Sequence, residues 1–154
     1  MTNAKSDLWE NDLLLLVFQN TVAGAAIAGL GSGVAIAASS VPESIWLELH
    51  EVAVADSDVL QTVKTPMSYT GYLGPIAVAR SSGGWTVAAQ NASNAALIQF
   101  GNNTGALATS VDVTLGNNGT PASSEILYYG PAALAVSTGV NPQYAIGALD
   151  IDET

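Results

Sequence analysis

The chain has 154 residues, no cysteine, thirteen acidic residues and three cations (Lys5, Lys64 and Arg80), for a formal net charge of −10 at pH 7. This length suits one domain, residues 1–154, with its own core. Without cysteine there are no disulfides or thiolate metal sites, and three cations cannot neutralise a phosphate track or an anionic bilayer, so neither nucleic acid nor membrane is expected as a partner.

Ser6 is placed to N-cap a helix whose first turn carries Asp7 and Glu10, favourable at the positive end of the helix dipole. Leu13 to Phe18 continue it, so a helix is predicted from Asp7 to about Asn20. Lys5 followed by Asp7, Glu10 and Asp12 has the wrong charge for a secretory leader. Val22 to Ala38 is uncharged, but its glycines and alanines make a poor membrane span. Gly24 to Ser40 reads as an irregular excursion.

Strand signals dominate from there. Ile45 to Glu51 alternates, with Trp46, Glu48 and His50 on one face and Ile45, Leu47 and Leu49 on the other. Asp56-Ser-Asp58 is a polar loop. Ile76 to Arg80 and Trp85 to Ala88 are strands around the turn Ser81 to Gly84. Ala95 to Phe100 is a strand closed by Gly101 to Gly105. Val111 to Leu115 alternates into Gly116-Asn-Asn-Gly119, a hairpin-type turn because Asn-Gly tolerates positive φ. Glu125 to Tyr129 ends at Gly130-Pro131. Leu134 to Val136 and Gln143 to Ile151 follow, and Asp150 to Thr154 reads as a short acidic tail. Short strands with Gly, Asn and Pro turns predict a mainly β chain: an antiparallel β-sandwich, jelly-roll-like, with one N-terminal α-helix.

The residues that carry chemistry are sparse. His50 is the single histidine. It reads as a strand-face or interface residue. A Ser-His-Asp triad has no Gly-x-Ser-x-Gly elbow to support it, and one histidine without cysteine does not make a zinc site. Asp56 and Asp58, with Glu48 or Glu51, could serve calcium, but EF-hand spacing is absent and a solvated loop accounts for them. Gly71-Tyr-Leu-Gly74 and Ser82-Gly-Gly84 are turns rather than phosphate loops. Trp46, Trp85, Tyr69, Tyr72, Tyr128, Tyr129 and Tyr144 read either as core and interface aromatics or as a sugar-binding platform. Asn91-Ala-Ser93 fits a glycosylation sequon that no secretory signal supports. No catalytic residue, cofactor or metal is expected.

Only 10% of the residues are charged, against about 25% for an ordinary domain, while 49% are hydrophobic. Either the net negative charge alone keeps such a chain soluble, or much of its surface is covered by its own copies or by a partner, and the second reading is favoured.

Four blocks stand in order along the chain. They are Leu15-Leu-Val-Phe-Gln-Asn20; Ile45-Trp-Leu-Glu-Leu-His50; Tyr69-Thr-Gly-Tyr72 with Ala77-Val-Ala-Arg80, Gly84-Trp-Thr-Val87 and Ala92-Ser-Asn-Ala-Ala96; and Leu127-Tyr-Tyr-Gly130 with Gly139-Val-Asn-Pro142 and Ala145-Ile-Gly-Ala-Leu-Asp150. Together, from about Leu8 to Asp152, they resemble a family of small tailed-bacteriophage virion proteins, described as capsid cement (decoration) or tail-fibre proteins. Where that family has a Thr-Ala-Asp-Pro-Gly turn after the histidine, this chain has Glu51-Val-Ala-Val-Ala-Asp56, and Gly101 to Gly119 also diverges.

The resemblance implies a non-enzymatic β-sandwich on the outer surface of the virion capsid. It would bind the major capsid protein and itself, with a trimer favoured. The alternative it implies is a tail component that binds host glycan. Apolarity and position select Trp9, Leu13 and Leu16 on the helix, and Trp46 and His50 on the strand, as partner-contact residues.

Overall fold

The N-terminal apolar run folds as expected. In a computed structural model of the chain, residues 7–21 and 43–152 are described, and helix α1 spans Asp7–Gln19 with Asp7 and Glu10 in its first turn. Ser6, the stretch Gly24 to Ser40 and the last two residues of the acidic tail lie outside the described residues. After α1 come strands β1 (Ser44–His50), β2 (Ile76–Ala79), β3 (Trp85–Ala88), β4 (Asn91–Asn94), β5 (Ile98–Gln99), β6 (Ala108–Gly116), β7 (Ile126–Val136), β8 (Gln143–Tyr144) and β9 (Asp150–Asp152), with a 3-10 turn at Gln61–Val63. Among the described residues the fold is mainly β, about 39% strand in antiparallel sheets with a single helix, α1, at the N-terminal side, a β-sandwich-like class.

By contacts the chain gathers into two compact units, one drawn from Met1–Glu43, Ala79–Leu97 and Ala145–Thr154, the other from Ser44–Val78 and Ile98–Tyr144. In the first, α1 lies on the sheet β3-β4-β9. Leu14 and Phe18, four residues apart and so on one helix stripe, have no exposed surface. The Phe18 ring meets fully buried Trp85 at 4.6 Å and 57°. Asn20, at φ 52°, turns the chain out of the helix.

The last helical carbonyls have no partner within the helix. Arg80 supplies one: its Nε donates to the Val17 carbonyl (2.6 Å) and its Nη2 to that of Leu16 (2.7 Å). Gln19 Nε2 donates to the Trp85 carbonyl at 2.8 Å. A cation at the negative end of the dipole, which the helix's own last turn lacks, therefore comes from the segment after β2.

In the second unit the strand order β2-β1-β6-β7 places β1 and β6 inside. Cross-strand partners Leu47↔Leu115 and Leu49↔Val113 are buried on one face, each burial contributing about 1.5–3 kcal/mol. The small sheet β5-β8 belongs to the same unit. Here segments 69–73 and 100–105 pass at backbone contact. A Cβ on Gly71 would lie 2.1 Å from the Asn102 carbonyl oxygen, and one on Gly101 2.1 Å from the Gly71 oxygen; both glycines have φ near +100°. Tyr69 Oη, between the Phe100 (2.9 Å) and Gly101 (2.8 Å) carbonyls, ties the crossing. Buried Asn103 satisfies the turn around it, donating to the Ala106 and Val136 carbonyls and accepting from Gly105 N–H.

Several predicted bounds differ. The strand read as Ala95 to Phe100 is the short β5, preceded by β4, which forms a hairpin with β3. Glu125 to Tyr129 and Leu134 to Val136 are one strand, β7, which runs through Gly130-Pro131. The register shifts between Ser110 and Asp112, where β7 carries an extra residue. Proline fits there because β7 is an edge strand at a bulge. Gly116 to Gly119 begins a longer loop held by the Asn117 and Asn118 side chains, and Gly119 is not at positive φ. Gln143 to Ile151 divides into β8 and β9, so Asp150–Asp152 is paired with β4 and is not a tail.

Two substitutions test these junctions. Arg80→Met should cost about 2–3 kcal/mol, since two carbonyls lose a charged donor. Gly101→Ala should cost about 3 kcal/mol or more, through both the overlap and the positive φ. Urea denaturation followed by tryptophan fluorescence reads both, and wild-type midpoints would refute the corresponding contact.

Candidate functional site

The alternation of β1 puts Trp46, Glu48 and His50 on one face. In the structure that face is covered. Leu47 through His50 are all buried, with Glu48 2% and His50 0% exposed. Opposite them on β6 stand Thr114 (to Glu48) and Asp112 (to His50).

The cover is the segment 51–65, a strap whose ends and middle are fixed by hydrogen bonds. Val54 N–H donates to Asp112 Oδ2 at 2.6 Å. Gln61 Nε2 donates to the Trp46 carbonyl (3.1 Å) and to Thr114 Oγ1 (3.0 Å), while its backbone N–H reaches the Ser124 carbonyl (3.0 Å). Ile126 N–H donates to the Val59 carbonyl at 3.0 Å. The Tyr129 hydroxyl donates to Asp56, which raises the Tyr129 pKa. The polar loop expected at Asp56 to Asp58 is this strap's outer turn. Asp58 accepts Ala55 N–H (2.8 Å) and pairs with Lys64 (3.3 Å), and both hold its carboxyl below the usual value.

Beneath the strap lies a buried polar cluster. His50 Nε2 is 2.8 Å from Thr114 Oγ1. Thr114 also accepts from Gln61, and its hydroxyl proton is available to Nε2, the arrangement that puts the imidazole proton on Nδ1. Nδ1 has no partner of hydrogen-bonding geometry, nor do Glu48 Oε2 and Gln61 Oε1. Burial raises the Glu48 pKa from 4.5 to about 7. Burial lowers that of His50, against the opposing pull of Asp112 and the Thr65 backbone.

Thr114, His50 and Asp112 thus stand together with a hydroxyl on the imidazole, an outline shared with a hydrolytic triad. Two features separate them from one. The Asp112 carboxylate is committed to Val54 and makes no hydrogen bond to Nδ1, and Thr114 has no exposed surface for a substrate to reach. Among the described residues, no group of three or more His, Asp or Glu could hold a metal ion.

The five predicted contact residues divide between the units. Trp9, Leu13 and Leu16 are half-buried on α1 in one; Trp46 and His50 are on β1 in the other. His50, expected as a partner contact, has no surface to offer one, because the strap covers its side of β1. Trp46 is half-buried, with its ring lying where a Gly119 side chain would be, 2.7 Å from an ideal Cβ.

The aromatics do not form a sugar platform. Trp85 and Tyr69 are buried, in different units. The rings of Tyr69 and Tyr72 lie 5.3 Å apart, and those of Tyr72 and Phe100 6.4 Å. The Tyr72 hydroxyl accepts Leu49 N–H, and burial raises its pKa. Tyr129, at 40% exposure, is the most open of the seven. Asn91 of the sequon sits in β4 with its amide on Asp152 (2.9 Å). What the surface does present is apolar: Val59, Leu73 and Leu107 in the second unit and Leu8 and Ile146 in the first are more than half exposed.

No helix among the described residues is long and apolar enough to cross a membrane. Comparison with protein-family models and with curated proteins returns no match.

The strap and the raised Glu48 pKa give a signed prediction. The folded state favours protonated Glu48, so its stabilising share is full below pH 4.5 and is lost as pH rises through about 7. Glu48→Gln should leave stability unchanged near pH 4.5 and raise it by about 1–2 kcal/mol at pH 8. Parallel pH profiles of Tm for the two proteins would show that Glu48 ionises without penalty.

Proposed function

We infer that this chain is a structural protein of a bacteriophage virion, a capsid cement protein that binds the major capsid shell as a homo-oligomer. The observation that carries the reading is the surface. Large apolar side chains stand exposed on both units of a protein with 10% charged residues. Single exposed apolar residues are ordinary. Here little charge accompanies them, as expected of a surface that neighbours cover. The four sequence blocks that resemble phage virion proteins, described as cement or tail-fibre proteins, support a place on the virion.

The physics of decoration agrees with this reading. A protein repeated over a shell needs only modest contacts, since simultaneous engagement of several copies multiplies them. Closed symmetry, such as a trimer on a three-fold axis, covers apolar surface without leaving an open end. Net acidity keeps unassembled copies apart. In this reading Trp9, Leu13, Leu16 and Trp46 remain contact residues and the buried cluster at His50 is structural.

Cryo-electron microscopy of the particle with this protein present is the deciding experiment. Density for the β fold should repeat over the icosahedral shell, and Trp9→Ala should lower its occupancy. Density confined to the tail would replace the cement reading with a tail component.

A further inference from the structure

Beside the strap, in the second unit, Glu51, Ser68, Thr70, Ala106, Leu107 and Ala108 line a cleft of ≈ 270 Å³, together with Tyr69. Its chemistry is uneven. The one charge is Glu51, whose Oε1 accepts the Ser68 N–H (3.1 Å) and Oγ–H (3.3 Å) and is thereby held in place. The Tyr69 hydroxyl is committed to the Phe100 and Gly101 carbonyls and takes no part. Leu107, 67% exposed, and the two alanines form an apolar side.

We propose that this cleft receives an arginine or lysine side chain from a partner protein's surface. Three observations select that occupant. The volume falls below the roughly 300–1,000 Å³ of small-molecule sites and suits a single long side chain. A carboxylate with neighbouring hydroxyl oxygens fits a cationic head, while an apolar wall fits its methylene stem. The chain's own described cations are engaged elsewhere, Lys64 on Asp58 and Arg80 on the helix carbonyls, so a second copy does not supply the charge from its described residues. Lys5 lies outside the described residues and is tested below; the proposed occupant comes from a different, basic surface. The proposal deepens the cement reading and rests on it for the partner's identity, the capsid shell. One solvent-accessible ion pair contributes no more than about 1 kcal/mol, so the cleft sets register and depends on multiplicity for strength.

The test separates the cleft from the shell. Amide NMR of the full chain is followed on titration with acetyl-Gly-Arg-Gly-amide and, separately, acetyl-Gly-Glu-Gly-amide. The arginine peptide should shift Ser68, Thr70 and Leu107 saturably at millimolar concentration, and the glutamate peptide should not. Glu51→Gln, which keeps the acceptor for Ser68, should weaken binding roughly threefold to fivefold without lowering Tm. No localised shift, or equal binding by Glu51→Gln, overturns the proposal. So does a change in the peptide-free cleft signals on Lys5→Gln, which would make the chain's own N-terminus the occupant. Peptide binding without any loss of Glu51→Gln occupancy on particles leaves the cleft's ligand standing and overturns the shell as its partner.

Discussion

The second unit depends on covering a polar sheet face. Its two inner strands put leucine and valine on one side and Glu48, His50, Thr114 and Asp112 on the other. The apolar side supplies the drive to bury the strands. Once they are buried, the polar side must be roofed by something that bonds to it, because an unpaired buried polar group costs about 1–3 kcal/mol. Gln61 and the Val54 backbone provide that roof, which fixes the path of 51–65 and brings Val59 and Asp56 against β7. The roof is incomplete, with three orphaned polar atoms below it, and Glu48 answers by retaining its proton to about neutral pH. The apolar residues left outside, Val52 and Val59 among them, are the surface from which the assembly reading starts.

The cleft next to Glu51 follows from the same path. The strap leaves β1 at Glu51 and returns near Ser68, and the hydrogen bonds between these two residues mark the place where the roof closes. The two described cations are both committed locally: one ends a helix, the other steadies the strap turn, and the carboxylate in the cleft accepts from Ser68 without meeting either.

What could be read in advance was what periodicity and charge encode locally. Helix α1, the strand at 44–50, the β3 strand and the 56–58 loop all carry their signals within a few residues. The β3–β4 hairpin does not. Its two turn residues, Ala89 and Gln90, both have positive φ (52° and 62°), a geometry usually supplied by Asn-Gly, so its turn carried no flag. The Asn-Gly pair that did carry the flag begins a loop of another kind. Pro131 read as a strand end, and only the edge position and the bulge of β7 make it tolerable inside one. For the site, the spacing of Glu48 and His50 showed that they share a face. That the face is covered depends on Gln61 and Asp112, which are remote in sequence and whose residue types signal nothing alone. Asn103 and Asn94 are invisible for the same reason, since each acts by satisfying several separate backbone groups.

The way the two units share the chain sets an order of events during synthesis. The second unit is finished once Tyr144 is available, although its middle is interrupted by residues 79–97. The first cannot be finished until β9 has pairedwith β4, and it also needs α1 from the other end of the chain. Emerging α1 and the β3–β4 hairpin must therefore wait, with Phe18, Trp85 and Ala92 incompletely covered, while about fifty further residues are made, several seconds at ribosomal speeds of roughly 5–20 residues per second. Contacts of such long sequence separation also fold slowly. The twofold hazard in that interval is aggregation through the uncovered aromatic pair and pairing of β4's open edge with another chain. A cell making many copies at once faces both, and the chain's excess of negative charge acts against them before the last strand arrives.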